Sequence, residues 1–547
     1  MEWVVYSLVF GPNAAKPGAE LKTGDAVQLV VDLDQSGFVA GAATPGAAFA
    51  GAPGSLYVWS WSGLPPTGPT DPSSGSAVYY SGGLTPLRLS AVVWVVTGVC
   101  GREVEGGLTA QDVSEALFGP PAGAALRSPG PPAKHYPAMP LSRLLHDCSY
   151  GNITLKRSST LVLNLSLPCG GMRPNGAVWN ATRGSAPTTG ITGACGHNEL
   201  WGWMEYALQN ARQVLGVDTS AFRRRILVLP PAPAPTSTST GGSGSGDGSG
   251  AWLCPAWQQR GSFGCDEALG CDMWIQGGLR SSRPQQLLQR LMTQLGSSLV
   301  LQPAAVSTRP TGASPLLTTG APSDPTCPMG SEAQEAEDGE GQGSFKCFNG
   351  PNAHKLRLAQ TALRLDAGSN LWEGSTRVVR LPPAALSPTN LLLVLPNWLP
   401  TSAATVRPLY GQYRAPVGGD AGLFTSPSSS SSSAPGRLVL HSVDSSVPPL
   451  GSEAGPAVGS VLLAALSPGE SYRFEPGKVL VRFQSVAPPA AEDAGGVTGG
   501  SATVSVCRYS VVSEAGYDCY DGIDNDCNGL VDFADPACAA AGGFGRR

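Results

Sequence analysis

The chain has 547 residues, and its 71 glycines and 49 prolines together make up about 22% of it, against roughly 12% in an average protein. Charged residues supply only 14%, against a usual ~25%, which excludes a coiled coil, a helical bundle and a charged disordered tail. The net charge of −5 comes without any basic stripe interleaved with aromatics, so nucleic acid is not an expected partner.

No apolar run reaches the ~18–20 residues needed to span a bilayer; the longest lies near 90–99. Thirteen cysteines and three N-x-S/T sequons, at Asn152, Asn164 and Asn180, fit an oxidising secretory route and an extracellular or cell-wall location. An odd cysteine count leaves at least one thiol unpaired or joined to another chain. Met1-Glu2-Trp3 carries no basic n-region and residues 3–10 are too short and β-like for a signal peptide, so the sequence reads as lacking its leader.

Along the chain, residues 4–10, 26–33 and 56–61 read as strands of a β-rich domain over 1–88. Residues 89–99 are a β-branched run typical of a buried central strand. Residues 198–215 predict a helix with Asn198 as N-cap, Leu200, Met204, Ala207, Leu208, Ala211 and Leu215 on its apolar face, and Gly216 as stop. Strands are expected at 226–229 and 273–276, and a second helix at 285–296, apolar at Leu287, Leu288, Leu291, Met292 and Leu295. Three low-complexity stretches read as solvated loops: a flexible insertion over 233–251, an acidic patch at 332–340 and a serine run at 428–433. Short strands at 376–381, 391–395, 437–441 and 478–483, spaced by Pro/Gly turns, predict a β-sandwich over 356–506.

Residues 507–547 form a Cys-rich, Asp-rich tail. Counting Asp524 as loop position one puts Asp526 at three, Asn528 at five, Gly529 at six, the Leu530 carbonyl at seven, Asp532 at nine and Asp535 at twelve. That is the oxygen-donor spacing of a calcium loop, with Asp535 where a longer, bidentate Glu is usual. Calcium is therefore the expected cofactor, at modest affinity, with Cys507, Cys519, Cys527 and Cys538 stapling the unit. An acidic, disulfide-bonded turn without an ion is the alternative.

Several segments between about 89 and 441 together resemble gametolysin, the cell-wall-digesting metalloprotease of green algae, and its family. They are D-C-S-Y-G at 147–151, C-G-x-x-E-x-x-G-W at 195–203, L-G-V-D at 215–218, and C-D-M-W-I-Q-G from Cys271 followed by the amphipathic helix. Cys327-Pro328-Met329-Gly330, Cys347-Phe348-Asn349-Gly350-Pro351 and Y-R-A-P-V-G-G-D-A-G-L at 413–423 complete the set. The resemblance implies a zincin-like domain over 89–355, and an overall α+β fold in which that domain is flanked by β-rich domains, with the calcium-type loop at the end.

It also implies a helix carrying H-E-x-x-H-x-x-G-x-x-H, in which histidines one turn apart hold zinc and the glutamate activates its water. Aligned on Gly296, that motif falls on Gln289 and Thr293 for the first two histidines, Arg290 for the glutamate and Leu299 for the third histidine. An amide, a hydroxyl and an alkyl chain stand where ligands are needed, and a permanent cation stands where the base is needed. The five histidines, His135, His146, His197, His354 and His441, include no pair at i, i+4, so no other H-E-x-x-H exists. Met329, the expected turn methionine, reads as core.

Zinc is thus not expected. Residues 1–547 hold no P-loop, no G-x-S-x-G elbow and no dinucleotide fingerprint. Two functions compete: a secreted pseudo-metalloprotease that binds an extracellular-matrix or cell-wall glycoprotein, and an active metalloendopeptidase degrading hydroxyproline-rich wall glycoproteins. A disused gene copy is the third.

Overall fold

The computed structural model describes residues 8–10, 27–31, 56–63, 86–104, 107–120, 139–181, 196–230, 259–262, 264–265, 270–277, 284–307, 324–330, 346–368, 371–399, 407–421, 423–424, 436–443, 459–488 and 500–541. The chain divides into two compact units, Met1–Gly83 and Leu84–Arg547. The three low-complexity stretches lie outside the described residues. In the first unit, β1 (Leu8–Phe10), β2 (Val27–Val31) and β3 (Leu56–Gly63) form a sheet in the order β1-β3-β2, with β1 parallel and β2 antiparallel to β3.

The second unit opens on β4 (Leu87–Val99), whose run of β-branched residues is explained by cover on both faces. After the short β5 (Arg102–Glu103) come helices α1 (Ala110–Phe118) and α2 (Leu141–Cys148), then β6 (Ile153–Leu167) and the hairpin β7 (Gly170–Met172) and β8 (Val178–Asn180). Helix α3 (His197–Gln213), β9 (Arg224–Leu229), β10 (Gln259–Gly261), β11 (Cys271–Gln276) and helix α4 (Pro284–Ser298) follow. The sheet runs β10-β11-β9-β4-β6, parallel except for β10 at one edge, with β5 antiparallel on the end of β4. Leu89, Ala91, Val93 and Val95 pack in a core with α1, α2 and α4, whereas Val92, Trp94 and Val96 pack with α3.

Helix α3 starts one residue earlier than its expected cap. Asn198 lies inside the first turn and its side-chain oxygen accepts from Arg173 Nη1 at 3.1 Å, so Gly196 holds the cap position without a side-chain bond. Leu215 lies past the end of the helix and is exposed, while Gly216, at φ 64°, turns the chain away.

The remaining strands make two facing sheets. One runs β12-β18-β17-β16-β15-β13, from β12 (Ala304–Val306), β13 (Gln360–Leu365), β15 (Thr389–Val394), β16 (Leu409–Arg414), β17 (Arg437–Ser442) and β18 (Ser460–Leu466). The other runs β14-β21-β20-β19, from β14 (Thr376–Leu381), β19 (Ser471–Phe474), β20 (Val479–Ala487) and β21 (Ser501–Arg508). Leu392, Val394, Leu438 and Leu440 of the first share a core with Val479, Val481, Val504 and Val506 of the second, which is a sandwich. Strand β12 precedes residue 355 yet pairs parallel with β18, and helix α5 (Gly350–Lys355) packs on β16 and β17. The α/β layers and the sandwich therefore share strands and core across 355/356.

Candidate functional site

Helix α4 buries Leu287, Leu288, Leu291, Met292 and Leu295, the apolar face read from the sequence. Gln289 Nε2 and Thr293 Oγ1, one helical turn apart, both donate to the carbonyl oxygen of Pro328, at 3.0 and 2.6 Å. Arg290 is buried and its Nη1 donates to the Gln276 carbonyl at the end of β11, at 2.6 Å. The turn 324–330 thus receives Gln289 and Thr293, both half-buried, and β11 receives the buried Arg290.

Beyond the helix, Leu299 is buried in the same core cluster as Met329. A Cβ added at Gly296 would lie 2.4 Å from Met329 Sδ and 3.2 Å from Phe348, so glycine here permits the close approach of helix and turn. Met329 is buried among apolar side chains.

The turn is itself anchored from the sandwich. Asp324, fully buried, accepts from His441 Nε2 of β17 at 2.9 Å, from Thr326 Oγ1 at 2.7 Å and from Asn349 Nδ2 at 3.1 Å, and Asn349 also reaches Ser460 of β18. Burial alone would raise the Asp324 carboxyl. The charge and hydrogen bond of His441, with the bonds from Thr326, outweigh it and hold the group at about 2. Burial and the Asp324 charge push the neighbouring Cys327 thiol up to about 11, which leaves it protonated and a poor nucleophile.

Three of the sequence segments that carried the resemblance meet in one buried clasp. Cys148 of α2 is bonded to Cys347, and a Cβ at Gly419 would come within 2.5 Å of one sulfur and 2.6 Å of the other. Asp420 accepts from the Cys347 amide at 2.8 Å and pairs with Arg414 at 2.6 Å, both side chains fully buried, while Arg414 also donates to the Cys347 and Phe348 carbonyls. Their role in this chain is to tie α2 to the sandwich.

At the carboxyl end, Cys507 pairs with Cys527 and Cys519 with Cys538. Within that frame the carboxylates of Glu514, Asp524 and Asp526 bring one oxygen each to within 4.8 Å of one another. Asn528 donates to Asp526 and to Asp535, and the Asn528 and Gly529 amides donate to Asp524. Asp532 turns away, accepting from the Gly522 amide at 3.1 Å. Glu514 was missed in the sequence because it lies ten residues before the loop, outside any fixed spacing. Burial, and then the neighbouring carboxylates, raise Glu514; burial and Asp526 raise Asp524. Leu530, whose carbonyl is the expected donor at position seven, has an exposed side chain, and its amide donates to Asn528 Oδ1 at 2.7 Å.

Among the described residues this is the one group of three His, Cys, Asp or Glu side chains close enough to hold a metal. His135 lies outside the described residues, and His146 is exposed beside Asp147. Of the sequons, Asn152 and Asn180 are half-buried, and Asn164 is exposed on β6 with its side-chain oxygen accepting from the Ala110 amide. A cavity of about 430 Å³ lies between α1 and β6, lined by Gln111, Glu115, Phe118 and Arg157 and by nothing from α4. Among the described residues ten cysteines form five disulfide pairs and Cys327 is a free thiol, and no described helix is long and apolar enough to cross a membrane. Compared with models of known protein families and with curated proteins, the chain matches none.

Proposed function

We propose that the chain is a secreted, non-catalytic relative of the gametolysin-like peptidases that binds a glycoprotein of the cell wall or extracellular matrix. The observation that carries this reading is the convergence of Gln289 and Thr293 on Pro328 O. Side chains at i and i+4 meet at one point, as two metal-holding histidines would, and the point is a main-chain carbonyl. Neither Gln, Thr nor Leu299 suits zinc, and Arg290 accepts no proton, so these residues do not fit a catalytic zinc. The mixed sheet with α4 after β11, and Met329 beneath Gly296, support the zincin-like reading of the layers. Purified protein is expected to carry no stoichiometric zinc by elemental analysis and to cleave no peptide in a chelator-sensitive way. Chelator-sensitive cleavage that disappears on altering Gln289 or Thr293 would overturn the proposal.

The carboxyl-terminal loop is proposed to hold calcium through Glu514, Asp524 and Asp526, with Asn528 and Asp535 beside them. Burial and then neighbouring carboxylates raise Glu514 and Asp524, a divalent cation relieves that crowding of charge, and oxygen donors suit calcium. Calorimetric titration of the full chain is expected to show calcium binding that weakens as pH falls, because protons compete for these raised groups, and that is lost in Asp524→Ala. Unchanged heat in that variant would place the ion elsewhere.

A further inference from the structure

We propose that the carboxyl-terminal disulfide unit docks a basic polypeptide segment, whose lysines or arginines stack on Tyr520 and Phe533 and pair with Asp521 and Asp532. Exposed large apolar side chains concentrate there: Val512, Tyr517, Tyr520, Leu530, Val531 and Phe533 all lie within residues 512–533. Tyr517 is 94% exposed, Tyr520 70% and Phe533 53%, too open to be serving a core. The rings of Tyr520 and Phe533 meet edge to face at 4.9 Å, which fixes two aromatic surfaces side by side in water. The Gly522 amide bonds the Asp532 carboxylate and Asn525 Nδ2 bonds Asp521, so each acid is held in place one residue along the chain from a ring, Asp521 after Tyr520 and Asp532 before Phe533.

Charge decides what covers this surface. Residues 511–541 hold seven carboxylates and no lysine or arginine, although the whole chain is only −5. Aromatic faces rimmed with carboxylates attract cations through both the ring quadrupole and ordinary Coulomb attraction. A neutral glycan would use the rings without needing the acids. Asp521 and Asp532 are not among the three carboxylates that converge within 4.8 Å, and the inference does not depend on the absence of peptidase chemistry.

The test is fluorescence anisotropy with the full chain and a labelled Arg/Gly peptide, in chelator and in calcium, beside an Asp/Gly peptide and a neutral soluble arabinan. Binding of the Arg/Gly peptide alone is expected, weakening as salt rises. Tyr520→Ala with Phe533→Ala should weaken it about tenfold, and Asp521→Asn should reduce its salt dependence. All three side chains are exposed, so circular dichroism should be unchanged. The proposal falls if the arabinan binds and the peptide does not, if the aromatic double variant binds the peptide as well as the parent, or if the variants change only self-association in sedimentation.

Discussion

The side chains that decide the chemistry of α4 were legible in the sequence by type but not by partner. One helical turn separates Gln289 from Thr293, and that spacing reads directly from the chain; that both would reach the carbonyl of Pro328, some 35 residues on, does not. The same holds for Asp324, an aspartate in a loop whose partner His441 lies 117 residues away. The folded carboxyl, at about 2, lies below its ordinary 3.8, so the folded state binds fewer protons in that window and gains stability as pH rises through it. The contribution, about 2 kcal/mol, is complete above pH ~4 and is lost as pH falls toward 2. Urea midpoints of the parent and Asp324→Asn should therefore differ at pH 5 and converge near pH 2. A gap that stays constant would mean that the aspartate is not the titrating group.

At the scale of elements, long periodic segments were legible and short or capped ones were not. The strands β4, β9, β14 and β20 and the helices α3 and α4 show themselves by apolar runs or a 3.6-residue period. Helices α1 and α2, of nine and eight residues, are too short for a period to stand out, although Thr109 and Asp112 form a capping box. The fifteen-residue β6 mixes Lys156, Arg157 and serines into an edge strand, so its alternation, at Leu161, Leu163, Leu165 and Leu167, is confined to the second half and no continuous apolar run marks the whole. The contact between α4 and the turn 324–330 gives a direct test of how these elements fit. Gly296→Ala would gain helix propensity of about 1 kcal/mol but set its methyl 2.4 Å from Met329 Sδ, in a buried site. Overpacking should win, at about 1–3 kcal/mol of lost stability. In a Met329→Ala background the same change should cost little or nothing. Equal costs in the two backgrounds would show that the helix and the turn do not touch there.

For the molecule as a whole, the sequence marks an α/β part and a β part but not how they are joined, because the joining residues are scattered. Cys148, Cys347, Arg414 and Asp420 carry no common spacing, yet they build one buried clasp, and β12 crosses into the sandwich sheet. The disulfide closes a span of 199 residues, worth about 5 kcal/mol in the chain-entropy account. Removing one partner of a fully buried ion pair costs about 3–5 kcal/mol, because the other charge is left without compensation in a dry site. These terms couple the two parts: loss of the sandwich would strip β12, the turn 324–330 and the floor under α4 from the α/β layers. In calorimetry of the full chain, the unit from Leu84 onward is therefore expected to unfold in a single transition, whatever the first unit does. Arg414→Leu should move that transition down in temperature without splitting it, since the change weakens a joint on which both parts depend. Two resolved transitions within this unit, only one of them shifted by the substitution, would show that the clasp belongs to the sandwich alone and that the α/β layers stand without it.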